Sequence, residues 1–376
     1  MEPQRSRARP CLAQADAEDS APAREEQGVA AKPQGHLPVR PGWLARSQEP
    51  ILQPELPIVD PHHHLWDHPG NRYLLDDLLA DLGSGHDVQA TVYIECSTAY
   101  LSDGDEMMRP LGEVAFIDGV ARRAMDSLQG RCRVAAGMVA YADLLAGDRA
   151  APVLEALVAA GNGRVRGVRN IAAWHRDPAA RGSIANPPPG LLSDPQFRRG
   201  FAHLARAGLS FDAWLYHTQL DELIELARAF PDTSIVLNHM GGPIGIGPYA
   251  GKRDAVFADW RSALRELSTC PNVHAKIGGF GMRLFGFDFH ERDDPPASAQ
   301  LAEVWRPYAE TTLEAFGSQR CMYESNFPVD KAMAGYATVW NAFKRLSAGY
   351  SDDERANLFS DTAVRVYRLA PVRRPA

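Results

Sequence analysis

Short apolar, β-branched runs alternate with stretches of helical period along most of this 376-residue chain, and few folds accept that pattern. The runs fall at 90–96, 133–139, 164–170, 209–215, 234–238, 273–277 and 321–324, after a first strand that leads from Ile58 to the histidines at 62–64. Between and around them, apolar residues recur at helical spacing over 71–81, 113–129, 150–160, 194–207, 219–230, 254–270 and 299–316. Further helices start at Tyr336 and Asp352. Strands separated by helices pair in parallel through right-handed crossovers. Eight units of about 33 residues suit a closed (β/α)8 barrel, which typically needs about 250 residues plus loops. Nothing resembling G-x-G-x-x-G follows the first strand, which disfavours an open dinucleotide-binding sheet.

A barrel of this kind carries its active site at the C-terminal ends of the strands. The sequence places His62, His64, Glu95, Arg169, His217, His239, Lys276 and Asn326 there. Any one alone would read as a satisfied buried polar residue, but the recurrence argues for a site. His62 and His64 are two apart on an extended backbone and so point the same way, which lets their imidazoles hold a metal ion or clamp an oxyanion. Arg169 and Lys276 give the mouth positive charge, and Arg169 is suited to hold a substrate carboxylate. Trp66, Trp174, Trp214 and Tyr216 lie just beyond or beside strand ends and could wall a ring-shaped substrate. The glycine- and aspartate-rich stretch 279–298 is too long for an ordinary connection and reads as a lid or substrate loop.

The stretch Pro57-Ile58-Val59-Asp60-Pro61-His62-His63-His64-Leu65-Trp66-Asp67 resembles the opening of the amidohydrolase-2 group of the amidohydrolase superfamily. That branch includes sugar-lactone and pyrone-dicarboxylate lactonases, and the resemblance runs from about Trp43 to about Tyr367. It implies a (β/α)8 barrel with one divalent ion, zinc or manganese, held by His62, His64 and His217, although some relatives work without tightly bound metal. It also implies that His239, in Leu237-Asn238-His239-Met240-Gly241, binds metal or substrate or shuttles protons. Arg166 and Arg169 stand on strand four where binuclear members carry a bridging lysine or glutamate, so one ion is expected rather than two.

Strand eight departs from the family pattern. Asn326, in Glu324-Ser325-Asn326-Phe327-Pro328, takes the place of an aspartate, and a carboxamide accepts no proton at neutral pH. Glu95, Asp330, Glu324 or metal-activated water are the open alternatives. Glu95, Asn326, Lys276 and His239 are expected to act in catalysis, with Arg169, Trp66 and Tyr216 on the substrate. The resemblance implies a hydrolase that opens a lactone or related ester of a small carboxylated or polyhydroxylated metabolite. The alternatives are a metal-dependent decarboxylase or other lyase of an aromatic acid, and a barrel that binds a ligand without chemistry.

Residues 1–42 are rich in Ala, Pro, Gln, Arg and Glu and poor in aromatic and β-branched residues, the composition of a disordered tail. The barrel is expected over 43–370, with Trp43 on its outside or closing its lower end and 371–376 as a C-terminal tail. A net charge of -7 gives no reason to expect nucleic acid. No run is long and apolar enough to span a membrane, and no secretory leader is present, so a cytoplasmic enzyme acting on a small molecule is expected. The scattered cysteines, Cys11, Cys96, Cys132, Cys270 and Cys321, read as buried free thiols. A homodimer is the expected assembly.

Overall fold

The computed structural model describes residues 36–374 apart from 69–70, 128–129 and 183–184. Eight parallel strands pair in sequence order: β1 (Ile58–His63), β2 (Val88–Ile94), β3 (Arg133–Tyr141), β4 (Val165–Arg169), β5 (Ser210–Ala213), β6 (Ile235–Leu237), β7 (Val273–Ile277) and β8 (Cys321–Tyr323). The sheet closes where β8 returns to β1. The Asn326 amide donates to the His62 carbonyl at 3.0 Å, and the His64 amide to the Phe327 carbonyl at 2.8 Å. Asp60 locks this seam by accepting from Ser325 Oγ at 2.6 Å, the Ser325 amide at 3.0 Å and the Tyr336 hydroxyl at 3.0 Å. The aspartate that precedes the histidines therefore closes the (β/α)8 barrel.

Alternation along the strands sorts side chains into two cores. Phe211 and Ala213, Ile235 and Leu237, Ala275 and Ile277, and Cys321 and Tyr323 belong to the large core beneath the helices. Val236 and Met322, at the positions between, belong with Val59, Ala90, Val92, Ile94 and Val139 to a second core inside the barrel. Val366, Tyr367 and Leu369 fill the same inner cluster from the C-terminal end of the chain. The outer helices are amphipathic. Arg253–Leu267, for example, buries Val256, Trp260, Leu264 and Leu267 at helical spacing.

The structure departs from the sequence pattern at several edges. Asn71–Tyr73 forms no helix but pairs antiparallel with Trp66–His68, and the helix begins only at Leu75. Trp66 Nε1 donates to Asn71 Oδ1 across this hairpin, so a local side-chain bond competes with helical period. The helix expected over 194–207 is two pieces, Pro195–Phe201 and His203–Ala207. Residues 371–374 are not a free tail, because the Arg373 amide and carbonyl exchange hydrogen bonds with the Gln89 side chain. Trp43 packs at the loop after β7, its Nε1 donating to the Arg292 carbonyl, rather than at the lower end. The reading of residues 1–42 lies largely outside the described residues, and those from 36 onward touch the barrel. Cys132, Cys270 and Cys321 are buried free thiols, Cys96 is half-buried, and Cys11 lies outside the described residues. Among the described residues no helix is long and apolar enough to cross a membrane.

His63, between the two candidate ligands, points away from them and is fully buried, with Nε2 2.9 Å from Thr91 Oγ1. Burial pushes its pKa down to about 3. The unfolded chain, titrating near 6.5, binds the proton more readily, so this contribution to stability is complete above pH 6.5 and is lost as pH falls toward 3. Urea unfolding between pH 6 and 4 is expected to show His63 removing about 1.4 kcal/mol per pH unit. In His63→Gln the slope should flatten by that amount; an unchanged slope would show that His63 is already protonated in the fold.

Candidate active site

The floor of the barrel mouth is built from the inward positions of successive strands. On β8 the two-residue period that turns Met322 inward also turns Glu324 inward, one residue past the strand end. Glu324 is fully buried between two imidazoles, with Oε1 2.6 Å from His239 Nδ1 and Oε2 2.7 Å from His62 Nδ1. His62 and His64 meet from β1 as their spacing predicts, Nε2 to Nε2 at 3.2 Å. The His64 Nδ1–H donates to the Ile94 carbonyl at 2.9 Å, which leaves the lone pair of Nε2 facing His62.

His239 reaches this centre through unusual backbone. Its φ is +52° and that of Met240 is +54°, left-handed values that bulky residues adopt only when the surroundings impose them. Gly279 makes the space: it has φ +70°, and a Cβ there would lie 2.4 Å from His239 Nδ1.

Beneath the floor, Lys276 of β7 is fully buried and donates to Asp212 of β5 at 2.7 Å. Asp212 also accepts from Asn238 Nδ2 and the Tyr367 hydroxyl, each at 3.0 Å. Lys276 Nζ lies 3.3 Å from His62 Nδ1. Burial first, and then the Lys276 ammonium, hold His62 well below the usual imidazole range; burial and Arg169 do the same for His64. Both rings are therefore neutral near pH 7, the state in which imidazole ligates a metal.

Above the floor opens a cavity of about 320 Å³, lined among others by His64, Trp66, Glu95, Arg169, His239 and Asn326. The structure brings these six residues, expected at the strand ends, together around one cavity. Arg169 is not free to hold a carboxylate, however, because Nε donates to Glu95 Oε1 and Nη2 to the Glu95 carbonyl, both at 2.6 Å. Asn326 Nδ2 donates to buried Asp330 at 2.7 Å, and Asp330 also takes the Gly281 amide, so Asp330 fixes Asn326 rather than replacing it. The stretch 279–298 carries Met282 into the cavity wall and buries Phe280, Phe285 and Phe289, so it is a packed wall.

Three expected site residues fall elsewhere. His217 is no part of the cluster: β5 ends at Ala213, and His217 sits in a turn where Nδ1 accepts the Ile244 amide and the ring packs on Tyr249. Trp214 lines the cavity in its stead, edge-on to His239. Tyr216 is fully buried, and its hydroxyl accepts the Gly182 amide behind the cavity wall. Lys276 does not face the cavity and works from below as a positioning residue. Asp212 is a site residue that the sequence reading does not name, and Glu324 enters it only as an alternative base; the inward parity of Met322 is the signal that places Glu324 at the centre.

A sequence model of the amidohydrolase family matches residues 59–369. This chain belongs to the amidohydrolase family. The uncharacterized protein y4mH of Sinorhizobium fredii is 34% identical over 337 residues, spanning 84% of this chain and 99% of that protein. An L-fucono-1,5-lactonase of Burkholderia multivorans is 27% identical, over 83% of this chain and 96% of its own. The fold matches a zinc-bound amidohydrolase crystal structure from Burkholderia multivorans with a TM-score of 0.63 and 24% identity, covering 83% and 99% of the two chains. Membership in this family and the similarity to a lactonase support a hydrolase.

The residues of this amidohydrolase fit a divalent cation. Ligating atoms of His62, His239 and Glu324 lie within 4.8 Å of one another. Glu324 Oε2 is buried, and its neighbour His62 Nδ1 lies off the hydrogen-bonding direction, so that oxygen has no aligned donor. The 3.2 Å between the two Nε2 atoms is close to the spacing of ~3.3 Å that neighbouring ligands have around a tetrahedral ion with bonds of ~2.0–2.1 Å. In Gly279→Ala the added methyl should displace His239 and lower kcat/KM about a hundredfold, while His217→Ala should stay within about threefold. Steady-state kinetics on the two purified variants checks this, and the opposite order would restore His217 to the centre.

Proposed function

We propose that this amidohydrolase opens the ring of an uncharged, polyhydroxylated lactone with the help of one divalent ion, zinc or manganese. The observation that carries the reading is the cavity's charge balance. Arg169, which could have claimed a substrate carboxylate, is neutralised by Glu95, and the carboxylate and imidazoles below it form a centre suited to a cation. The cavity is of small-molecule size. L-Fucono-1,5-lactonase, with a sugar lactone in its name, and the zinc-bound Burkholderia structure support the same reading.

Held by His62, His239 and Glu324, with His64 alongside, the ion would supply Lewis acidity toward a carbonyl oxygen and toward water. The chain's own groups do the rest. With Nε and Nη2 committed to Glu95, Arg169 at the cavity wall supplies Nη1 as a donor for the carbonyl oxygen. Glu95 is the carboxylate at the cavity wall and takes the proton of the attacking water. Asn326, with its amide nitrogen spent on Asp330, offers its oxygen to orient that water or a substrate hydroxyl. Water adds to the carbonyl carbon, the ring carbon–oxygen bond breaks, the ring oxygen takes up the proton that Glu95 received from water, and the hydroxy acid leaves as its carboxylate with its acid proton released to solvent.

A second, metal-free reading has its own observation: the 2.6 Å contact between His239 Nδ1 and Glu324 is the geometry of an acid–base pair in which the carboxylate orients the imidazole. Titration of released acid at constant pH, on a panel of five- and six-membered aldonolactones, separates the readings. Turnover should vanish after dialysis against a chelator and return with zinc or manganese, and Glu324→Gln should lower kcat by about a hundredfold or more. Full activity without metal would leave only the His239–Glu324 pair. Carbon dioxide from aromatic acids, with no acid from lactones, would replace hydrolysis by decarboxylation.

A further inference from the structure

His36 lies ahead of the family match, which begins at residue 59, yet it lines the cavity together with Trp66 and His239. Its ring stacks on Trp66 with centroids 4.9 Å apart and planes within 5°. Stacking alone would be ordinary packing. What distinguishes this imidazole is the way the segment after it is held. Residues 40–49 run alongside 290–298 in the same direction. The Arg40 guanidinium donates to the His290 carbonyl, Trp43 Nε1 to the Arg292 carbonyl, Arg46 pairs with Asp294, and Glu49 accepts the Ser298 amide at 2.6 Å. The loop they follow is the one that supplies Met282 to the cavity and Gly279 beneath His239. The segment is thus fastened to a wall of the site and delivers an aromatic, hydrogen-bonding group to its mouth.

His64 and His239 each spend a ring nitrogen on a protein partner, the Ile94 carbonyl and Glu324. No bond from either ring nitrogen of His36 to a protein group is seen among the described residues, so a donor and an acceptor remain for a ligand. We propose that His36 is a specificity-determining residue: it hydrogen-bonds a hydroxyl of the polyhydroxylated substrate on the Trp66 side of the cavity, while the carbonyl reacts beside Arg169 and Glu95. This rests on the lactone reading above. It assigns to a stretch outside the family match the task of telling a sugar lactone from a bare one, since a site built to bond a hydroxyl discriminates against ligands that lack it.

The test compares D-galactono-1,4-lactone, rich in hydroxyls, with γ-butyrolactone, which has none, on the full chain and on His36→Ala and His36→Phe. The phenylalanine keeps the stack on Trp66 and loses only the hydrogen bonds. Both variants should raise KM for the galactonolactone about five- to twentyfold with kcat within about twofold. Their kcat/KM on γ-butyrolactone should stay within about twofold, so that the preference between the two lactones collapses. A phenylalanine variant that keeps the wild-type preference reduces His36 to packing and overturns the proposal. A KM that falls in both variants overturns it as well, by showing that His36 competes with substrate for Trp66. Wild-type protein that opens neither lactone, nor any other of the panel, takes the lactone reading down and this proposal with it. That outcome is distinct from turnover that is indifferent to residue 36.

Discussion

The structure of the mouth depends on a carboxylate placed where no water reaches it. Glu324 is fully buried with an imidazole against each oxygen, and an isolated charge in that position would cost many kcal/mol. The surroundings answer it in layers. Lys276 and Asp212 form a second buried pair directly beneath, shared with Asn238 and Tyr367, and Arg169 with Glu95 forms a third at the cavity wall. Removing one partner from such a pair typically costs about 3–5 kcal/mol, because the remaining charge is stranded. The strand ends are therefore not independent choices. Asp212 and Glu95 each have a basic neighbour on another strand and Glu324 has an imidazole at each oxygen, and the left-handed backbone at His239 is part of the same arrangement.

This arrangement explains what was legible in the sequence. Strand-and-helix alternation gave the barrel because each element buries a face with its own period, and those periods are local. The convergence of His62 and His64 was equally readable, since two residues on one extended strand need no partner to set their direction. His217 failed for a related reason: β5 stops at Ala213, and beyond it the chain turns, so proximity in sequence to a strand end no longer means proximity to the mouth. Glu324 reads from the sequence only as a substitute base for Asn326, the position where the family pattern is broken. Strand parity, with Met322 inward and Tyr323 outward, pointed to Glu324 throughout.

The remaining misses are contacts that no local pattern encodes. Arg169 reads as a free cation until Glu95, from another strand, is found on its fork. Asn71–Tyr73 reads as the start of a helix until Trp66 is seen to need a seat. His36 sits in a stretch whose composition suggests a tail, and only pairing with residues some 250 positions away brings it to the cavity. Together these contacts change the chemistry of the mouth from one that attracts an anion to one that is neutral, aromatic and rich in hydrogen-bonding groups, above a floor whose side chains fit a cation.

The central claim is that Glu324, with His62 and His239, forms that floor. Anomalous X-ray scattering from crystals grown with zinc or manganese tests it without reference to any substrate. The account predicts one strong peak bonded to Glu324 and shared with His62 and His239. A peak at His217, or a fully ordered mouth in which Glu324 stays between the two imidazoles and no ion scatters, would contradict it.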